Sequence, residues 1–414
     1  MPVDEILAKI RGSWLEETLE ETTVRCRLEV VVEELMTTTN KDSIKTHDLA
    51  TIANKFVDLG NISEIQPIGS GNINDTFLVT INSIGEASET RFILQRINTQ
   101  VFRQPELVMQ NMRILTEHAR DRLRRNPPGS DRRWEIPQVV STQDGMDYWL
   151  DPDGSFWRAL GFVSNSYSLD AIQDRKHAHE IGYALGTFHN LISDLSPDKL
   201  ADTLEGFHIT PLYLEQYKSV LARSSHPSQS PDTRYCMEFI RDRQSWARVL
   251  EDAKAKGKLP LRLMHGDPKV NNVMIDIDSQ QAVSIIDLDT VKPGLIHYDI
   301  GDCLRSGCNP LGEETDCLGS VCFESELCQS ILQAYLTETS EFLTKHDYDY
   351  IYDSIRSIAF ELGLRFFTDY LAGNAYFKIA YPEHNLARAL VQFKLVESIE
   401  SQESTIRQIV EDMR

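Results

Sequence analysis

The stretch Leu263-Met-His-Gly-Asp-Pro-Lys-Val-Asn-Asn-Val-Met-Ile275, followed by Val283-Ser-Ile-Ile-Asp-Leu-Asp289, constrains this chain more than any other. It reads as strand, loop, strand, tight hairpin, strand. Along it stand an acid (Asp267), a base (Lys269), an amide (Asn272) and a second acid (Asp287). Asp287 ends the apolar run Val283, Ile285, Ile286, where a buried strand presents its last side chain to a cleft. Groups in this order suit a metal-assisted phosphoryl transfer to a small hydroxyl. One carboxylate accepts the hydroxyl proton, an amide and a second carboxylate hold Mg²⁺ on nucleotide phosphates, and a cation steadies the γ-phosphate. Taken singly, each residue has an ordinary reading, because Asp and Asn near strand ends often cap turns. The ordered set between apolar strands carries the inference. His265 is expected to hold the loop, not to shuttle protons.

Asn272 stands five residues after Asp267, and Asp287 stands 20 after it. The first offset is that of the H-R-D-x-x-x-x-N loop of protein kinases. Here His265-Gly266-Asp267 replaces H-R-D, and Leu288 follows Asp287, so the Phe-Gly of the kinase triplet is absent. This variant resembles the aminoglycoside phosphotransferase and choline kinase superfamily, whose members phosphorylate small alcohols. The resemblance implies an α+β, bilobal, protein-kinase-like fold with a small β-rich N-terminal lobe and a larger, mainly helical C-terminal lobe. It also implies ATP and Mg²⁺. Asp267 is then the base, Lys269 the γ-phosphate contact, and Asn272 and Asp287 the metal ligands. Asp299 is expected to anchor the loop through backbone N–H groups.

A chain of 414 residues can bury a large core and divide into lobes. Its formal charge of −21 argues against nucleic acid or an anionic membrane as partner. A nucleotide is not excluded, since Mg²⁺ neutralises phosphates locally. No run of about eighteen apolar residues occurs. The acidic start Met1-Pro-Val-Asp-Glu-Ile lacks a signal-peptide core, so a cytoplasmic protein is expected. Of the seven cysteines, Cys303, Cys308, Cys317, Cys322 and Cys328 crowd together without a C-x-x-C, which favours free thiols over a zinc framework.

Three regions are expected: a helical extension over 1–46, a small nucleotide-binding lobe over 47–163, and a helical catalytic and acceptor-binding lobe over 164–414. In the small lobe, Ile65–Ile68 and Thr76–Ile81 flank Gly69-Ser-Gly-Asn72-Ile-Asn-Asp75. Gly69, Ser70 and Gly71 can lie over nucleotide phosphates, because backbone N–H groups approach an anion only where side chains are small. The next strand, Arg91–Ile97, puts Leu94 and Arg96 on one face by alternation. They match the kinase Ala-x-Lys with Arg for Lys, and Arg still binds phosphate. A helix over 105–123 offers Glu106 and Glu117 as ion-pair partners for Arg96, with no basis in sequence for choosing. An Asp-Gly hairpin over 149–157 leads to a last strand ending at Phe162 and Val163, the expected hinge under adenine. Helices are expected over 171–191, 212–221 and 236–255, with a loop over 224–234.

Three further segments narrow the resemblance: Gly69-Ser-Gly-Asn-Ile-Asn-Asp-Thr-Phe77, Leu94-Gln-Arg-Ile-Asn-Thr-Gln-Val-Phe102, and Leu364-Arg-Phe-Phe-Thr-Asp-Tyr-Leu-Ala-Gly-Asn-Ala-Tyr-Phe377. Together with the catalytic loop they look like N-acetylhexosamine 1-kinase and its relatives. This implies phosphorylation of an anomeric sugar hydroxyl, with Asn72, Asp267, Arg365 and Tyr376 on the sugar. That family often has His where this chain has Asn72. A bland reading of Arg365 is a helix ion pair with Asp369. A sulfatase is excluded, because Cys308-Asn-Pro-Leu-Gly312 lacks the Arg of C-x-P-x-R. Two other readings stand beside the sugar kinase: a choline- or aminoglycoside-type kinase, and a catalytically silent nucleotide-binding module, suggested by Arg96 in place of Lys. The oligomeric state is not legible.

Overall fold

A computed structural model describes residues 46–57, 61–69, 73–82, 89–127, 129, 132–223 and 230–414. The chain divides between Ile52 and Ala53 into two units. Of the first, the described part lies in helix α1 (Thr46–Ala53). The expected extension over 1–46 lies almost wholly outside the described residues.

The second unit opens with an antiparallel sheet. Strands β1 (Asn61–Pro67), β2 (Asp75–Asn82) and β3 (Glu89–Ile97) pair in sequence, and β3 pairs with β6 (Phe156–Gly161). Two short strands, β4 (Val139–Val140) and β5 (Trp149–Leu150), pair with β6 as well. The β5–β6 turn is the expected Asp-Gly hairpin. Gly154 takes φ +83°, and the Asp151 carboxylate accepts from the N–H groups of Asp153 and Ser155 and from Trp157 Nε1.

Helix α2 (Pro105–Arg125) follows β3. It starts on Pro105, whose fixed φ suits the first position, and carries Glu106 in its first turn and Arg122, Arg124 and Arg125 in its last, so the charges at both ends suit the helix dipole. Its buried stripe Val108, Met109, Met112, Leu115, Ala119 keeps helical spacing. Val108 and Met109 close a small core with Ile97, Phe102 and Phe156 under the sheet.

A larger helical part follows β7 (Ser166–Tyr167). Helix α3 (Arg175–Ile192), capped by the Asp174 side chain on His177 N–H, packs along a later helix, Ser325–Thr339. Contact is close because Gly182 faces Ile331. A Cβ built on Gly182 would overlap the Ile331 carbonyl. Helix α4 (Thr210–Arg223) comes next. The helix expected over 236–255 is three pieces: α5 (Pro231–Arg243), a 3₁₀ turn (Gln244–Arg248) and α6 (Val249–Ala255). Its start falls inside the expected loop, because Ser230 caps Thr233 N–H and Pro231 takes the first helical position. The break falls where Trp246 turns in against Phe360 beneath the Arg243 and Arg356 guanidinium groups.

The catalytic stretch forms two small ladders: β8 (Arg262–Met264) with β11 (Lys292–Gly294), and β9 (Val273–Asp276) with β10 (Ala282–Ile285) and β7. Helices α7 (Ile296–Gly307), α8 (Ser325–Thr339), α9 (Lys345–Asp349), α10 (Ile351–Leu371), α11 (His384–Ser401) and α12 (Glu403–Asp412) complete the chain. Helix α10 is apolar on most sides and packs on α4, α7 and α11. The described cysteines are free, and Cys303, Cys308 and Cys328 are buried. No helix among the described residues is long and apolar enough to cross a membrane.

Candidate active site

The loop after β8 is fixed from below. Asp299, on α7, accepts from His265 N–H at 2.5 Å and from Gly266 N–H at 2.8 Å. Its Oδ2 also meets His189 Nε2 at 2.8 Å, and His189 Nδ1 meets the Tyr335 hydroxyl at 3.0 Å. Burial alone would raise the Asp299 carboxyl. His189, His265 and the Gly266 N–H outweigh that and hold it below the usual carboxylate range. Gly266 takes φ +87°, which only glycine adopts without strain, and it lies against Thr290.

His265 is wholly buried. Burial keeps its imidazole neutral, with a lowered pKa. Nε2–H donates to Ile286 O at 3.0 Å and Nδ1 accepts from Asp267 N–H at 3.2 Å, so the ring links the loop to the strand before Asp287. That is the loop-holding role expected from sequence. His208, which sequence reasoning missed, holds the other side. Its Nε2 donates to Gly266 O at 2.8 Å and its Nδ1 meets Glu361 at 2.9 Å. Both ring nitrogens therefore face acceptors, as in the protonated form.

The four chemical residues come together. Lys269 Nζ lies 2.9 Å from Asp267 Oδ2. Burial works against the ammonium, yet Asp267 holds the Lys269 pKa above its usual value. Asn272 Nδ2 donates to Asp267 O at 2.7 Å and to its Oδ2 at 3.2 Å, which leaves Oδ1 free of these contacts. Ile286 N–H donates to Asn272 O at 2.8 Å, which ties in the Asp287 segment. Asp287 is not the last residue of a strand, as expected. β10 ends at Ile285, and Asp287 takes a left-handed conformation, φ 63° and ψ 58°. Such a backbone is uncommon outside glycine and collects at functional sites. The residue is exposed to solvent. Desolvation by the protein around the carboxylate, then Asp289 and Asp267 beside it, push its carboxyl above the usual carboxylate range.

These acids crowd one another, which a divalent cation would relieve. Among the described residues no three His, Cys, Asp or Glu close around one point as an all-protein metal cage. A Mg²⁺ held by Asn272 Oδ1 and Asp287 would take its other ligands from phosphate and water, as Mg²⁺ usually does.

The small-lobe expectations fare unevenly. Ser70, Gly71 and Asn72 lie outside the described residues. Gly69 has φ +76°. Phe162 is half-buried and Val163 buried, just past β6. Arg96 is a correction. It pairs with neither Glu106 nor Glu117 but with Asp75, Nε at 2.8 Å and Nη2 at 2.6 Å, and lies over the Trp157 ring. Glu117 goes to Arg113 instead. Register explains it. Asp75 on β2 and Trp157 on β6 are the direct cross-strand neighbours of Arg96, so all three share one face. The opposite face carries Gln95 and Arg158, and it is the one turned toward α2 and the catalytic segment. Arg158 reaches Met109 and Met112 on α2 and Asp289 beyond Asp287. No spacing signal in the sequence marked Arg158.

In the helical part, Arg365 does not pair with Asp369. The Asp369 carboxylate caps the loop after α10, accepting from the N–H groups of Tyr376 and Phe377 and from Asn385. The Arg365 guanidinium instead sits among Phe207, Tyr213 and Phe377, 5.4, 5.0 and 5.5 Å from their ring centres. Tyr376 stands exposed at 56% beside Phe377.

The profile of the Phosphotransferase enzyme family (APH) matches residues 64–317. An aminoglycoside phosphotransferase from Alicyclobacillus acidocaldarius superposes with a TM-score of 0.56 at 17% identity, covering 87% of this chain and 96% of that one. A choline kinase from Cryptosporidium parvum gives 0.56 at 15%, covering 87% and 98%. A spectinomycin phosphotransferase, solved with ADP and spectinomycin, gives 0.51 at 13%, covering 90% and 99%. At these identities the likeness is one of fold, and it is the α+β, kinase-like fold expected from sequence.

Proposed function

This chain belongs to the phosphotransferase enzyme family and is a kinase, and from that premise we propose that it moves the γ-phosphoryl group of ATP to the anomeric hydroxyl of an N-acetylhexosamine or a related sugar. The observation that carries phosphoryl transfer is the assembly of Asp267, Lys269, Asn272 and Asp287 on one loop-and-turn floor. Asp267 accepts the acceptor's hydroxyl proton as the oxygen attacks phosphorus. Asn272 fixes that carboxylate through its amide N–H. Lys269, kept charged by Asp267, faces the phosphoryl group in flight. Asn272 Oδ1 and Asp287 are the metal ligands. Bound Mg²⁺ supplies charge neutralisation on the nucleotide phosphates. Gly69, Ser70 and Gly71 over the phosphates and Phe162 and Val163 at the hinge are the nucleotide contacts. Arg96, turned to the far face of the sheet, is not among them.

The acceptor class rests on Arg365. A kinase for an aminoglycoside needs carboxylates free to meet ammonium groups, and one for choline needs aromatic faces open to a cation, whereas here the Phe207, Tyr213 and Phe377 rings already carry the Arg365 guanidinium. Here Glu361 is engaged by His208 and by Thr210 at 2.6 Å, and Asp302 by Arg305 at 2.8 Å. Arg365, beside both acids, presents a positive charge in an aromatic setting. That combination repels ammonium groups and suits the hydroxyl and carbonyl oxygens of a neutral sugar, with Tyr376 as an aromatic edge and Asn72 as a further contact. ADP release measured on N-acetylglucosamine, N-acetylgalactosamine, plain hexoses, choline and an aminoglycoside tests this. Turnover on the N-acetylhexosamines is expected. Turnover confined to the cationic acceptors overturns the sugar reading, and ATP binding with no turnover on any acceptor favours a silent module.

A further inference from the structure

A buried chain of polar groups, with no part in the phosphoryl transfer itself, joins the sheet to the turn that carries Asp287. Arg158, in the middle of β6, and Asp289, two residues beyond Asp287, have side chains only 1% exposed, and Nη1 of Arg158 lies 2.5 Å from Asp289 Oδ1. The rest of the guanidinium is occupied. Nε and Nη2 both donate to Gln95 Oε1, at 2.9 and 2.6 Å, and Gln95 Nε2 donates to Thr76 Oγ1 at 3.0 Å. The other carboxylate oxygen of Asp289 accepts from Asn74 Nδ2 at 2.7 Å. Asn74 Oδ1 in turn accepts from Asn98 N–H at 3.0 Å.

The ends of this chain are informative. Thr76, Gln95 and Arg158 sit on three neighbouring strands of the sheet. Asn74 ends the glycine-bearing connection between β1 and β2. Asp289 sits in the 3₁₀ turn that follows Asp287, whose left-handed backbone must be held for its carboxylate to face the cleft. A buried ion pair is a poor way to gain stability, because desolvating two charges offsets most of their attraction. It is a good way to fix where two elements meet. The expected strand-to-helix pair of Arg96 with a glutamate is absent, so another link must set the catalytic turn against the sheet.

We propose that Arg158, Asp289 and Asn74 form a positioning relay that holds the Asp287 turn against the start of β2 and the middle of β6, so that Asp287 is fixed where it holds the metal on the nucleotide phosphates. Arg158 and Asp289 touch neither substrate nor metal. This rests on reading the cleft as a phosphotransfer site, and the test separates the two.

The measurements are the dissociation constants of ADP with and without Mg²⁺, read by calorimetry, together with the melting temperature of each variant. Arg158→Met alone strands a buried carboxylate, so it is combined with Asp289→Leu, an apolar replacement of the whole pair. The double variant should melt cooperatively yet bind Mg-ADP about tenfold more weakly or worse, the usual loss when a group orienting a metal ligand is removed. Metal-free ADP should bind with little change. Asn74→Ala, which leaves the core intact, should weaken Mg-ADP binding in the same sense. The loss should not add to that of the double variant, since all three groups act as one unit. A folded double variant with an unchanged Mg-ADP constant overturns the relay, as does an Asn74→Ala chain that binds like the parent if the double variant fails to fold. Loss of Mg²⁺ dependence in Asp289→Asn, with Arg158→Lys and Asn74→Ala both unaffected, also overturns it and makes Asp289 a metal ligand. If the parent chain itself binds no Mg-ADP, the phosphotransfer reading fails first.

Discussion

At the residue scale, the site is a set of charges held by their neighbours. Asp267 is about a third exposed and makes its contacts to Lys269 and Asn272. Asp267→Asn keeps shape and volume, so melting should shift little while turnover falls by about a thousandfold, within the ~10²–10⁴ range for a positioned base. Steady-state ADP release decides it, and a rate within a few-fold of the parent removes Asp267 from the role of base. His208 carries a second prediction. Burial opposes its charge, but Glu361 and the Gly266 carbonyl outweigh that and raise its pKa. A histidine raised on folding stabilises fully below its unfolded value, about 6.5, and loses that contribution as pH climbs through the folded value. The melting temperature of the parent should therefore fall relative to His208→Asn as pH rises from about 6 to about 9. Parallel profiles would place no charge on His208. The four chemical residues were legible because their order along one short stretch is dictated by a single reaction. His208 and Arg158 were not, because each comes from a distant element and meets the loop only after folding.

At the scale of elements, the strands and the long helices follow from alternation and amphipathic spacing, and the starts of α3 and α5 follow from their Asp174 and Ser230 caps. Legibility fails where tertiary register decides. Alternation correctly put Leu94 and Arg96 together, yet it could not say which face of β3 turns to the cleft. The Asp75 and Trp157 pairings chose the other one for Arg96. The break at Gln244–Arg248 has the same origin, since no glycine or proline marks it and the Trp246 contacts impose it. Close helix approach is another feature that sequence alone conceals. Gly182→Ala should gain ~1 kcal/mol in helix propensity but force a methyl onto the Ile331 carbonyl. That oxygen belongs to the backbone of α8 and cannot rotate away. The overpacking cost, ~1–3 kcal/mol, should win, lowering the denaturation midpoint without changing the slope. A midpoint at or above the parent's would show that α3 and α8 can separate freely.

At the scale of the whole molecule, the charge of −21 says little about the ligands, because the charges that matter are local. Lys269, proposed to face the phosphates, lies on the loop after β8 beside Asp267, while Arg365 sits on α10 in an aromatic nest. Nucleotide contacts are proposed on the sheet and hinge, and acceptor contacts on α10 and the loop after it. If that division holds, the two Michaelis constants can be moved separately. Arg365→Met keeps much of the side chain's packing against Phe207, Tyr213 and Phe377 and removes only the charge and its donors. A hydrogen bond from a charged donor is worth ~1.5–3 kcal/mol, so KM for the sugar should rise at least about tenfold. KM for ATP should stay within about twofold, since a tenfold change would need ~1.4 kcal/mol from a residue that does not face the nucleotide. Both constants come from one ADP-release assay with each substrate varied in turn. A rise in KM for ATP with none for the acceptor would put Arg365 on the phosphates and leave the sugar to be held by other residues.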